Sequence, residues 1–381
     1  MAEAAQPRIG TMKITSVETI LITIPFDSGA PSQMIAGRPR TTLDILFVRL
    51  DTDAGITGWG EAFGHSITQG TKATIDSLIA PMLIGRDAGA HGALIAELQR
   101  RLHIFGRNGP AMYGLSGVDI ALWDIAGKAA GLPLYRLLGG AARSELTAYA
   151  SLLRYTDPAV VARNARAAVE RGYRFVKLHE IDVPQVRAAR EAIGSDIALM
   201  VDTNCPWSVR EALDMARRFA PFDLFWLEEP VWPPEDHGGL SAVRRGAGVR
   251  TAAGENAHGL HDFRHLFEAG AVDIAQPSVT KIGGITEQRK ILALAEAYGV
   301  TAIPHCAYFG PGMLASLHVV AAMPQETPIE RLYMDLEASP FGHYTEAVNG
   351  RMAVPQGPGL GCDPDPAVLA KYRTHPPSAV S

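Results

Sequence analysis

The chain has 381 residues, 47% apolar and 20% charged, so it can bury a sizeable core and belongs to neither the collagen-like nor the disordered class. A formal charge of -5 and the lack of any Lys/Arg run leave no basic footprint for a phosphate backbone, which sets nucleic acid aside as a partner. Cys205, Cys306 and Cys362 are odd in number and far apart, and no signal-like or bilayer-spanning apolar run is present, so a soluble cytoplasmic protein without disulfides is the expectation.

The first predicted element is the strand "MKITSVETILITIPF", and "TTLDILFVRLDTDAGITGWGEA" reads as two more strands joined by an Asp/Gly turn. Between them residues 27–41, "DSGAPSQMIAGRPRT", lack periodicity and read as a long binding loop. Residues 71–139 turn helical, with "GVDIALWDIAGKAAGLPLYRLLGG" closing on Gly139 and Gly140. Three strands followed by helices predict a small α+β unit.

From about residue 145 the texture changes. Apolar runs "ELTAYASL", "FVKLHEI", "IALMVDT", "LFWLEEP", "RTAAGEN", "VDIAQPS" and "VTAIPHC" alternate with amphipathic segments such as "DPAVVARNARAAVERG" and "TEQRKILALAEAYG", the pattern of a parallel sheet covered by helices. Lys177, Asp202, Glu228, Glu255, Ser278 and His305 follow one another at intervals of 25, 26, 27, 23 and 27 residues, about the length of one strand, one helix and two loops. Each repeat thus delivers a polar side chain at the C-terminal end of its strand. An open doubly wound sheet would spread six such residues along an edge, whereas a closed barrel brings them to one mouth, and the barrel is the expectation.

Asp202, Glu228 and Glu255 fall on three consecutive strands. A lone acid at a strand end is more often a helix cap or a solvated rim residue, but regular spacing on successive strands argues for a set. Three unneutralised carboxylates in one mouth repel, and their pKa values should rise. A divalent cation removes the conflict, and all-oxygen ligation suits Mg²⁺, with Mn²⁺ as a substitute, rather than zinc. Glu229 must point away from its neighbour's face.

Lys177 and His179 share one side of their strand. Beside such a metal they are base candidates for removing the proton alpha to a bound carboxylate, with nearby cations depressing the Lys177 pKa. His305, three units beyond Glu228, should stand across the barrel as the opposing acid or base.

These motifs carry a resemblance. "LSGVDIALWDIAGKAAGLPLYRLLGG", then "VDTN", "EEP", "GEN", "KIGGITE" and "PHC" in order, resemble the mandelate racemase and muconate-lactonising branch of the enolase superfamily over nearly the whole chain. The resemblance implies an α/β fold: a modified TIM barrel, (β/α)₇β, over residues 141–339, under an N-terminal α+β capping domain, 12–140, to which 340–381 returns. It also implies Mg²⁺ on Asp202, Glu228 and Glu255, an enediolate intermediate, a homo-oligomer, and specificity loops at 27–41 and around "EAFGHSITQG". Glu330 would lie against the substrate carboxylate, with Asn204, Asn256 and Tyr308 as lining residues.

The chain departs from that family's pattern twice. His179 stands where the branch often has a second, basic lysine, so it becomes the expected proton carrier assisted by Lys177, with the two roles exchangeable. Ser278 replaces the usual Asp or Lys of the sixth strand, which should leave His305 without an orienting anion, a weaker base and a better acid. Such asymmetry suits dehydration of a hydroxy or sugar acid to a 2-keto acid. A racemase, epimerase or lactone cycloisomerase using the same intermediate is the alternative, and a non-catalytic acid-binding barrel the third reading.

Overall fold

The computed structural model describes residues 11–32, 34–35, 38–140, 143–374 and 378–380. Strands β1 (Ile14–Asp27), β2 (Thr42–Thr52) and β3 (Thr57–Ala62) form an antiparallel cap sheet, paired from Ile14 opposite Thr52 to Pro25 opposite Thr42 with one register shift between Ile14 and Ser16. Period-two alternation splits this sheet between two cores. Leu21, Leu46, Val48 and Leu50 pack with Leu115, Val118 and Leu122 of the cap helices, while Ile20, Ile22, Ile24, Ile45 and Phe47 face the barrel side with Met313 and Leu317. Burial on both faces accounts for the unbroken apolar stretches Ile20, Leu21, Ile22 and Ile45, Leu46, Phe47, Val48. The segment expected to be a plain loop carries a small antiparallel rung, Met34–Ile35 against Arg38–Pro39.

The cap helices are α1 (Thr68–Thr74), α2 (His91–Arg101) and α3 (Gly109–Ala130). Helix α3 starts with Pro110 in its first turn and stops at Gly131, which is left-handed at φ +66°. It lies directly on β3: a Cβ at Gly60 would stand 1.8 Å from the Gly117 carbonyl oxygen, so only glycine permits the approach.

The second sheet is parallel and curls into a barrel. Its strands are β4 (Glu145–Ser151), β5 (Phe175–Leu178), β6 (Ala198–Asp202), β7 (Leu224–Glu228), β8 (Thr251–Ala253), β9 (Ile274–Ala275), β10 (Thr301–Ala302) and β11 (Ile329–Leu332). The ladder runs from β10 back to β4 and on to β11, and the remaining seam is bridged where the Cys306 N–H donates to Glu330 Oε2 at 2.9 Å. Seven helices alternate with the strands: α4 (Pro158–Glu170), α5 (Val183–Ile193), α6 (Val209–Phe219), α7 (His237–Gly246), α8 (Leu260–Glu268), α9 (Gly284–Ala297) and α10 (Pro311–Ala322). All seven apolar runs of the sequence are strands here. The eighth, "IERL", lacks their apolar signature because both of its charged residues are buried and paired.

Alternation also decides what points inward. Val176, Leu178, Leu199, Val201 and Leu227 face the surrounding helices, whereas Met200 and Trp226 stack with Tyr149, Ala252, Ile274 and Ile303 in the barrel interior. Lys177, Asp202 and Glu228 share the inward parity.

Two buried carboxylates of the cap seat themselves in the first turns of barrel helices. Glu61 Oε2 accepts from the Gly312 N–H of α10 at 2.8 Å, and Asp119 Oδ2 from the Thr286 N–H of α9 at 2.9 Å. Helix N-termini offer unpaired N–H groups to anions. Trp123 Nε1 and Ser116 Oγ add bonds to Thr286 and Gly283. Among the described residues no helix is long and apolar enough to cross a membrane.

Candidate active site

Register sets the heights of the site residues. Asp202 lies level with Glu228, and Leu178 with Val201, so His179, one residue on, stands at the height of Asp202. Glu255 comes three residues past Ala252, the partner of Glu228. Gly254, at φ +138°, turns it back to the mouth, and a Cβ there would lie 2.9 Å from both the Gln276 N and the Phe263 ring. One carboxylate oxygen each from Asp202, Glu228 and Glu255 lies within 4.8 Å of the others. Asp202 Oδ2 is buried with no hydrogen bond of good geometry, facing only His179 Nε2 at 3.3 Å and Lys177 Nζ at 3.6 Å, which leaves its lone pairs open to a cation. The all-oxygen donor set fits a hard divalent ion.

Lys177 reaches up under this triad. Its Nζ lies 3.0 Å from Glu228 Oε1, 2.9 Å from Glu330 Oε1 and 3.6 Å from Asp202 Oδ2, with the side chain fully buried. Among the protein groups alone, burial lowers the Lys177 pKa, but Glu228 and Glu330 together lift it well above the usual lysine value. Glu330 is spent on Lys177 and the Cys306 amide instead of facing a substrate carboxylate. Burial opposes its ionisation, yet Lys177 and His305 hold its pKa down at about 2.

The triad does not behave as three equally repelling acids. Burial and the neighbouring Asp202 push Glu228 up to about 8. Asp202 and Glu255 go the other way: burial disfavours their charge, but His179 and Lys177 lower Asp202, and His305 lowers Glu255. Glu229, at φ +44°, does turn away from Glu228, and both its oxygens accept from Asn256 Nδ2 at 3.1 and 2.9 Å.

Two imidazoles flank the triad. The His179 Nδ1–H donates to the Leu152 carbonyl at 2.5 Å, which leaves Nε2 aimed at Asp202 Oδ2, 3.3 Å away. His305 Nε2 lies 3.0 Å from Glu255 Oε2, and its Nδ1 lies 3.0 Å from Ser278 Oγ. Burial lowers both imidazole pKa values, but Asp202 for His179 and Glu255 for His305 reverse the shift and raise them. The expectation that Ser278 leaves His305 without an anion is therefore corrected: Glu255 supplies one, at the other ring nitrogen.

A cavity of about 780 Å³ opens above this floor. His179, Asn204, Glu255, His305 and Tyr308 line it, together with Ser32, Arg40, Phe63 and His65 from the two cap loops. Lys177, Asp202, Glu228 and Glu330 lie beneath its surface. Asn204 Nδ2 is bound to Asp202 Oδ1 at 3.0 Å, and Asn256 stands off the wall, bridging Glu229 and Lys281. Arg154, Lys281 and Glu61 also line the cavity. Arg154 stands two residues past the first barrel run, and Glu61 lies in "GWGEA", but neither has a spacing that sets it apart from a surface arginine or a strand acid.

Two family models divide the chain. Residues 17–139 match the mandelate racemase / muconate lactonizing enzyme N-terminal domain, and 160–368 match the enolase C-terminal domain-like model. The chain belongs to this family of the enolase superfamily. Within the superfamily it is 35% identical over 385 residues to the D-galactarolactone cycloisomerase of Agrobacterium fabrum, covering 96% of this chain and 100% of that one. It is 32% identical to the arabinonate dehydratase of Saccharolobus solfataricus, covering 89% and 93%. Among solved structures of the superfamily, a racemase from Streptomyces coelicolor A3(2) with bound magnesium matches at a TM-score of 0.83 and 31% identity, over 95% of this chain and 100% of that one.

Proposed function

We propose that this enzyme removes the proton alpha to the carboxylate of a hydroxy or sugar acid and then expels water, leaving a 2-keto acid. The observation that carries the reading is three carboxylates from successive strands close enough to share one ion, with an imidazole on each flank opening into the same cavity. Asp202, Glu228 and Glu255 would hold Mg²⁺, for which Mn²⁺ can substitute. Held there, the cation would supply neutralising charge for the substrate carboxylate and for the negative charge that spreads into it as the alpha proton leaves.

The remaining roles fall to the chain's own groups. His179 is anchored by its Nδ1–H on Leu152, so Nε2 carries the lone pair and takes the alpha proton. Lys177 is too tightly held by carboxylates to act as that base, and it balances charge under the floor. His305, on the opposite flank, gives a proton to the departing hydroxide. Ser32, Phe63 and His65 of the cap loops line the cavity, where they would shield the acid from water.

A second reading is ring opening of a sugar lactone by the same proton abstraction. It is favoured by the 35% identity to the Agrobacterium fabrum cycloisomerase. Incubation with a panel of sugar acids and lactones in deuterium oxide separates the two. Formation of a 2-keto acid with loss of water supports dehydration, and lactone opening with alpha-deuterium supports the second reading. Tight binding without exchange or product would sink both.

A further inference from the structure

We propose that Ser278 and Tyr308 form a neutral two-hydroxyl clamp on the Nδ1 side of His305, which makes Tyr308 a positioning residue for the reaction. Ser278 stands after β9 and Tyr308 after β10, so two successive loops bring their hydroxyls to one imidazole. Ser278 Oγ lies 3.0 Å and Tyr308 Oη 3.4 Å from His305 Nδ1, and the two hydroxyls touch each other. The three side chains are 0%, 4% and 7% exposed, so water does not compete for these bonds. The phenol ring meets the imidazole edge-on, with centroids 5.8 Å and planes 85° apart. Close packing holds the pair from behind: a Cβ at Gly312 would stand 2.6 Å from Thr280 Cγ2 and 3.2 Å from the Tyr308 ring.

An imidazole whose Nδ1 has no fixed partner can turn over and present carbon where nitrogen is needed. A fixed partner on Nδ1 prevents this and aims Nε2 into the cavity. A carboxylate in that place only accepts a hydrogen, so it holds only the tautomer with hydrogen on Nδ1. A hydroxyl both donates and accepts. When Nε2–H points at Glu255, Nδ1 accepts from Ser278, whose oxygen accepts from Tyr308. When the hydrogen is on Nδ1, Ser278 accepts it and turns its own hydrogen to Tyr308. In that state Tyr308 can turn its hydrogen toward Thr280, whose buried hydroxyl makes no hydrogen bond among the described residues. Only hydroxyl hydrogens rotate, no charge is buried, and either tautomer is held in one orientation.

The kinetic consequence rests on the function proposed above; the clamp itself does not. The test uses full-length Mg²⁺-loaded protein with ¹⁵N-labelled histidines, and the His305 ring signals are assigned with His305→Gln. Long-range ¹H–¹⁵N spectra should show both His305 ring nitrogens shifted in Tyr308→Phe and in Ser278→Ala, and restored toward wild type in Ser278→Thr. In the same variants kcat should fall about tenfold, the scale of one lost hydrogen bond, with KM within about twofold. The double variant should lose less than the product of the single losses, because both hydroxyls act through one nitrogen. Unmoved ring signals in Tyr308→Phe overturn the clamp, and moved signals with unchanged kcat overturn the positioning role. Moved signals in a protein that turns over no acid uphold the clamp and remove the proposed function instead.

Discussion

Replacing Lys177 by Met tests the charge arrangement under the site. The Lys177 ammonium lies 3.0 Å from Glu228, 2.9 Å from Glu330 and 3.6 Å from Asp202, and all four side chains are at most 1% exposed. Methionine keeps most of the volume and removes the charge, leaving three carboxylates buried without their shared cation. Breaking one buried pair in this way costs about 3–5 kcal/mol, and we expect a loss of that size in metal-free protein at pH 8. The stranded acids would have folded pKa values above their unfolded ones. The stability they allow is therefore present at low pH and lost as pH rises through those values, so the deficit should shrink as pH falls toward 5. Saturating Mg²⁺ should also shrink it, since a bound cation takes over the neutralising role. Urea unfolding followed by fluorescence, with constant slope as the control, measures the difference. A loss under about 1 kcal/mol, or one indifferent to both pH and Mg²⁺, would refute the assignment of Lys177 as the buried counter-ion.

Further outcomes follow from the same geometry. Glu228→Gln should weaken Mg²⁺ binding at least about tenfold by titration calorimetry, and unchanged affinity would remove Glu228 from the ligand set. His179→Asn should abolish deuterium exchange at the alpha carbon of a bound acid, whereas retained exchange would move the base role to His305. Burial raises Glu61 to about 7 from 4.5, so its contribution to stability is full below its unfolded value and is lost as pH rises through about 7. Glu61→Gln should then flatten a loss of up to about 3 kcal/mol between pH 4.5 and 8, and an unaltered pH profile in thermal or urea unfolding would count against this. Gly254→Ala forces a side chain into φ +138° and against the Gln276 backbone. It should cost about 1–3 kcal/mol and weaken Mg²⁺ binding through Glu255, both measurable by thermal shift with and without metal.

Much of the barrel was legible because buried parallel strands are apolar runs that end on a polar residue. Their spacing brought Asp202, Glu228 and Glu255 together before any coordinate did. Spacing gives parity and height, however, and not reach. Lys177 and His179 share a parity, yet the lysine's long stem ends among carboxylates below the floor while the shorter imidazole meets the cavity. Glu330 was named but placed against the substrate, because nothing in "IERL" tells that its carboxylate meets Lys177 from two strands away. Arg331 likewise pairs with Glu346. Ser278 was read as a missing anion; the compensating Glu255 contact and the Tyr308 hydroxyl both come from other loops, where local pattern carries no information. The cap residues Arg40, His65 and Glu61 enter the cavity from another sheet altogether.

The seating of Glu61 and Asp119 in the first turns of α10 and α9 bears on any attempt to retune this protein by transplanting parts. Those helices follow the strand ends that carry His305 and Ser278, so a foreign lid grafted onto the same body would disturb the proton-handling side as well as the selecting loops unless it brought matching acids with it. Exchanging the two short loops alone, with the acids left in place, is the swap that the architecture permits.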